Sequence, residues 1–179
     1  MATPAMRFLE GRALYTQVVE EGIARAERSV WIATANLKEL WIASGRTGRY
    51  ESILDLFARL AERKVDLRIL HAELPSRRFR AAFDRRPALV RGGLKLKLCP
   101  RVHFKAVIVD GGALYLGSAN LTGAGLGAKG VARRNFEMGF WTADEGLLDA
   151  VQARFFALWQ GEPCKTCGLR AVCPDPIAK

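Results

Sequence analysis

Residues 102–120 read VHFKAVIVDGGALYLGSAN, two β-rich apolar runs separated by Gly111 and Gly112. A glycine pair between such runs signals a hairpin, because glycine takes the positive φ angles that a tight turn between twisted strands requires. The chain is thereby committed to a sheet. Along the first run, the strand period of two sets His103, Lys105 and Val107 on one face and Phe104, Ala106 and Ile108 on the other. An imidazole and an ammonium then stand side by side on one strand, while Ser118 and Asn120 fall where the next strand ends.

Helical and extended patterns alternate around this hairpin. Leu14, Val18, Val19, Ile23 and Ala26 recur at helical spacing, and SVWIATANL follows as a strand. GRTGRY reads as an exposed loop, ESILDLFARLAERK as an amphipathic helix and VDLRILHAE as a strand, with His71 an ordinary strand-end histidine. Beyond the hairpin come a loop rich in Gly and basic residues, a strand NFEMGFW and a helix over 144–159. A chain of 179 residues, half of them hydrophobic, buries one ordinary core, so the expectation is a single α/β domain over residues 1–160 with a tail over 161–179 packed on it.

The formal charge of +10 makes a polyanion, nucleic acid or an anionic membrane surface, the natural electrostatic partner. No apolar run approaches bilayer length, and the N-terminus lacks the pattern of a secretory signal, so the chain reads as soluble and cytoplasmic. Arg77, Arg78, Arg80, Arg85, Arg86 and Arg91 surround a short helical pattern before the alternating LKLKLCP. They read either as a solvated helix face beside an edge strand or, interleaved with Phe79 and Phe83, as a phosphate-tracking groove.

Neighbouring His and Lys, joined by Ser and Asn, supply a nucleophile or acid–base group beside several donors for phosphate oxygens. Such a set suits phosphoryl chemistry. His103, Lys105, Asp110, Gly117, Ser118 and Asn120 fit His-x-Lys-x4-Asp-x6-Gly-Ser-x-Asn at every position, and in this the chain resembles the phospholipase D superfamily over about residues 8–160. The resemblance implies a mixed β-sheet flanked by helices and a two-step displacement through a phosphohistidine, with no cofactor for catalysis. It makes His103 the nucleophile, with Lys105 and Asn120 holding phosphate, Ser118 assisting and Glu137 orienting the His103 ring. Asp110 belongs to the same signature, and its place at a strand-to-turn junction also suits it to anchoring the turn.

Family chemistry needs two histidines at one phosphate, and this chain has one copy of the signature. The resemblance therefore implies a homodimer sharing one active site. Short single-copy members are frequently endonucleases, which the positive charge favours over a lipid hydrolase, and DNA is the expected partner. The alternatives are a phospholipase D or phosphatidyl transferase and a DNA-binding module without catalysis. Lys129, Arg133 and Arg134, in the loop after GSANLTG, are expected to contact the substrate backbone.

Cys164, Cys167 and Cys173 form a C-x2-C-x5-C pattern, and Cys99 is the one other cysteine. Four thiolates complete a zinc shell or the ligand set of a [4Fe-4S] cluster. The pattern is similar to the iron–sulfur staple of certain recombination and CRISPR-associated nucleases in its local spacing alone. Reduced free thiols are the other reading, disulfides being disfavoured in a cytoplasmic setting.

Overall fold

The computed structural model describes residues 6–43 and 48–177. Residues 45–47 of the expected GRTGRY loop lie outside them. A seven-stranded mixed sheet forms the centre, in the order β1-β9-β8-β7-β2-β5-β6. Its strands are β1 (Arg7–Glu10), β2 (Ser29–Thr34), β5 (Asp66–His71), β6 (Leu94–Leu98), β7 (Lys105–Val109), β8 (Ala113–Gly117) and β9 (Met138–Thr142). Pairing is parallel for β2 with β5 and β5 with β6, and antiparallel from β2 through β7, β8 and β9 to β1. A separate hairpin, β3 (Trp41–Ala43) with β4 (Tyr50–Ser52), follows β2.

Alternation along the strands divides the core into two layers. Val30, Ile32, Leu67, Ile69, Val107 and Tyr115 pack with the N-terminal helical segment, α2 (Ile53–Glu62) and α3 (Arg77–Asp84). The opposite residues, Ala33, Leu70, Ala106, Ile108 and Leu114, meet Leu148, Phe155 and Trp159 of α4 (Glu145–Gln160). Phe155 lies between Trp31 and Trp159, with ring centroids 5.6 and 5.8 Å away. Its full burial contributes about 1.5–3 kcal/mol by transfer alone.

Local chemistry sets the helix starts. Ser52 Oγ accepts from Leu54 N–H at 3.2 Å while the Asp55 carboxylate takes the Ser52 N–H, a capping box opening α2. Asp144 caps α4 through Leu147 N–H at 2.8 Å, and Gly161, at φ 76°, ends it. The N-terminal helix runs through Arg12–Leu14, a π-helical Tyr15–Gly22 and a 3₁₀ turn Ile23–Arg25.

Three expectations change. The β3–β4 hairpin replaces part of the anticipated loop, because Ile42 turns into the core at 3% exposure and gives the short strands a buried face. Phe79 is buried, and Phe83 packs partly against the same core and stacks on it. The phenylalanines therefore do not line an external groove, and the α3 arginines form a solvated face. His103 precedes β7 instead of lying in it, since the ladders to β2 and β8 end at Ala106 and Lys105 and leave it no strand partner. No described helix is long and apolar enough to cross a membrane.

Candidate active site

The parallel strands β2 and β5, the start of β7 and the end of β8 all reach the same end of the sheet. Open α/β sheets place ligands at the carboxyl ends of parallel strands. At this end, Asn120 Oδ1 accepts hydrogen bonds from Ala35 N–H and Asn36 N–H, both at 3.0 Å, and lies 3.1 Å from Thr34 Oγ1. The Thr34 hydroxyl in turn accepts from Leu121 N–H at 3.0 Å and reaches the Asn36 carbonyl at 2.8 Å. With Oδ1 occupied on the scaffold, the amide Nδ2 of Asn120 is the end left to donate to a ligand.

Lys105 is only 8% exposed. Its Nζ donates to the His103 carbonyl at 2.6 Å and lies 3.4 Å from His103 Nδ1. Among the described residues it has no carboxylate within ion-pair distance. A nearly buried ammonium without a counter-ion is costly unless an anion completes it, and His103 stands exposed beside it. Such a pair has the chemistry to receive an anion.

Ser118 Oγ donates to Glu137 Oε2 and accepts from Met138 N–H at 3.1 Å, and Glu137 Oε1 accepts from Asn135 Nδ2 at 3.1 Å. The Glu137 carboxylate is thus engaged by Ser118 and Asn135, and not by the His103 ring. Gly117 pairs with both Lys105 and Gly139. These pairings set Lys105, Gly117 and Gly139 in one row across β7, β8 and β9.

A buried tyrosine, unnoticed in the sequence, supports this row. Tyr115 Oη accepts from Ala119 N–H at 3.1 Å, and burial pushes its hydroxyl pKa up to about 12, against the opposing effect of that bond. A Cβ on Gly117 would stand 2.4 Å from Tyr115 Oη, and one on Gly139 would stand 2.5 Å from the ring. The glycine of the Gly-Ser-x-Asn signature is therefore a seat for Tyr115, which holds the Ser118–Asn120 turn. Thr34 and Gly139 were equally silent in the sequence, because their roles exist only across strands.

Asp110 lies at the other end of β7. With φ 55° it opens the β7–β8 turn together with Gly111, at φ 66°. Its carboxylate accepts from the backbone N–H groups of Glu27, Arg28 and Ser29 at 3.0, 2.7 and 2.8 Å. Burial raises its pKa, but those three bonds outweigh that and hold it below the ordinary carboxylate value. The structure does not bring Asp110 to His103. His71 is buried at the end of β5, with Nδ1 2.9 Å from the Glu73 carbonyl.

The basic loop divides. Lys129 and Arg133 line a cleft with Glu39, Trp41 and Tyr50, whereas Arg134 lines a second one with Glu10, Asn135, Phe136 and Glu137. The cysteines converge: Cys99, Cys164, Cys167 and Cys173 all border one small cavity below Pro100 and Leu169, and all are free thiols.

The family model described as "Cardiolipin synthase, PLD-like domain" matches residues 19–159. The chain belongs to the PLD-like family. Its fold is similar to that of Nuc from Salmonella typhimurium, a phospholipase D family member, at 19% identity and a TM-score of 0.63 over 88% of this chain and 95% of that one. NucT from Helicobacter pylori is similar at 16% identity and a TM-score of 0.59, over 85% of this chain and 93% of that one. Phosphatidylserine synthase from Haemophilus influenzae Rd KW20 matches at 17% identity and a TM-score of 0.54, over 84% of this chain and 36% of that one. No curated protein matches the sequence. The His103–Asn120 signature of this PLD-like chain therefore sits on the fold that the resemblance implied.

Proposed function

We propose that this PLD-like protein is a phosphodiesterase that cleaves nucleic acid, DNA above all, without a catalytic metal and at a site completed by a second copy of the chain. The observation that carries the reading is the nearly buried, acid-free Lys105 ammonium held against exposed His103, at the end of the sheet that also carries Asn120. A ring nitrogen of His103 attacks phosphorus, forming a P–N bond as the P–O bond to the leaving oxygen breaks. The protonated His103 of the second copy gives that oxygen its proton. Now neutral, the same ring takes a proton from water as the water oxygen attacks phosphorus, and the P–N bond breaks. Lys105 and Asn120 offset charge on the non-bridging oxygens, and Ser118, held by Glu137, assists them.

The nucleic-acid reading is supported by the +10 charge and by a fold shared over 95% of Nuc and 93% of NucT. A second copy is supported by exposed Phe8, Phe136, Met138 and Phe140, an apolar surface flanking Glu137. Phe140→Asp should give a monomer in light scattering and remove activity; a fully active monomer overturns the shared site. The decisive experiment is cleavage of plasmid and single-stranded DNA in EDTA, with His103→Ala alongside. Cutting that survives EDTA and vanishes in the variant is expected. Cleavage of phospholipid but not DNA would replace this reading with the phosphatidyl-transfer one, and DNA binding without cleavage would leave a binding module.

We also propose that Cys99, Cys164, Cys167 and Cys173 hold a structural [4Fe-4S] cluster or zinc ion outside the catalytic chemistry. Support comes from their shared cavity and from the short 3₁₀ turns Glu162–Thr166 and Arg170–Val172, which bury no residue of their own and gain most from a staple. Among the described residues no group of three ligating side chains is placed to hold a metal ion, so the shared cavity and the tail's lack of a core carry this proposal. Anaerobically purified protein should be brown, with iron and sulfide in cluster ratio; colourless protein with one zinc selects the ion, and neither metal overturns the site.

A further inference from the structure

The β3–β4 hairpin has two unlike faces. Ile42 points into the core, while Trp41 and Tyr50 are 55% and 68% exposed. Because Ala43 pairs with Tyr50 and Trp41 lies two residues from Ala43, the two rings are diagonal neighbours on one face. The hairpin is anchored where it stands: Ala43 N–H donates to Tyr15 Oη at 2.7 Å, and Ile53 N–H to the Leu40 carbonyl at 2.8 Å.

Facing the rings is the loop that leaves the active site. Lys129 N–H donates to the Gly123 carbonyl at 3.0 Å, folding the lysine back over a residue only three positions beyond Asn120. Trp41, Tyr50, Lys129, Arg133 and Glu39 border a cleft of about 480 Å³, within the range of ligand clefts, roughly 300–1,000 Å³. Neither Lys129 nor Arg133 has an ion-pair partner among the described residues, although Glu39 shares the cleft. Two solvent-facing aromatic rings sharing a cleft with two unpaired cations match the two components of single-strand recognition, a π-face for each base and a cation for the backbone.

We infer that this cleft is a base-stacking subsite that selects single-stranded nucleic acid and leads its backbone to the phosphate position beside Asn120. The inference rests on the nucleic-acid reading of the site. Paired bases are already stacked inside a duplex and cannot lie on Trp41 or Tyr50, so the rings favour the single strand while the cations serve both forms.

Affinity for a labelled oligothymidine and for a duplex of equal length, measured by anisotropy at one salt concentration, tests it. Trp41→Ala and Tyr50→Ala should each weaken single-strand binding about tenfold and lower the single-strand to duplex ratio by the same factor, with Trp41→Phe restoring most of it. Equal weakening of both forms, or an unchanged ratio in both alanine variants, overturns the subsite. If the unaltered protein binds neither form, the nucleic-acid reading itself fails; if it binds both and the ratio does not move, only the subsite does.

Discussion

Both ends of β7 carry residues of one signature, yet they do different work. At the start, Lys105 is nearly buried without an acid partner and His103 is exposed, an arrangement with no benefit to folding. At the far end, the Asp110 carboxylate satisfies three backbone donors of the 27–29 segment, partners that folding itself supplies. A motif written as a line of residues thus mixes chemistry with scaffolding, and the difference is whether a polar group's partners are inside the chain or still to arrive.

The largest effect should separate the two ends outright. His103→Ala is expected to lower diester turnover by at least about 10⁴-fold while the unfolding midpoint stays within the range of a surface substitution. Comparable turnover in that variant would remove the site assignment. Asn120→Asp comes next: the carboxylate can keep the three contacts to residues 34–36, so the fold should persist, but its charge faces the phosphate and should cost about 10²–10³-fold in turnover, by analogy with loss of a charge-stabilising donor. Retained activity would mean that the amide Nδ2 does not touch the phosphate.

Asp110→Ala should reverse the pattern, losing about 2–3 kcal/mol of stability, for unsatisfied backbone donors plus a side chain ill suited to a positive φ, with turnover preserved in the folded fraction. Asp110→Asn, which tolerates that backbone, should lose less. Denaturant unfolding checks both. The same carboxylate gives a pH signature. Its folded-state pKa is lowered, so its contribution is present above the ordinary value of about 3.9 and is lost as pH falls through the lower folded value. Melting curves of Asp110→Asn should be flatter across that acid limb, and parallel curves would break the assignment. The smallest effect belongs to the cleft: Lys129→Ala and Arg133→Ala should each reduce the slope of log affinity against log salt by about one.

The hairpin that sets Lys105 opposite Gly117, beside Ser118, was legible because its spacing is local, a strand period and a turn signal that glycine enforces, whereas the same period carried His103 onto a strand that it precedes. The alternation of strands with helices was legible from apolar period, α2 and α4 among them, and the mixed sheet from the family resemblance. Asp110's separation from His103 follows from strand length, since the two flank β7 at opposite ends, but its three partners at 27–29 lie more than 80 positions away, and no local pattern reports them. The β3–β4 hairpin escaped because three-residue strands are too short for a period to declare itself.

By itself the sequence determined the order of the longer helices and central strands, the hairpin that brings Lys105 opposite Gly117 and the cluster of donors suited to a phosphate, since each depends on residues within a few positions of one another. Tertiary structure alone decided that Glu137 binds Ser118 and Asn135, that Tyr115 rests on two glycines of adjacent strands, that four cysteines border one cavity and that Trp41 and Tyr50 face Lys129 and Arg133. Those arrangements are set by strand pairing and by burial of two apolar layers, which act across the whole chain and leave no signature at the residues they bring together.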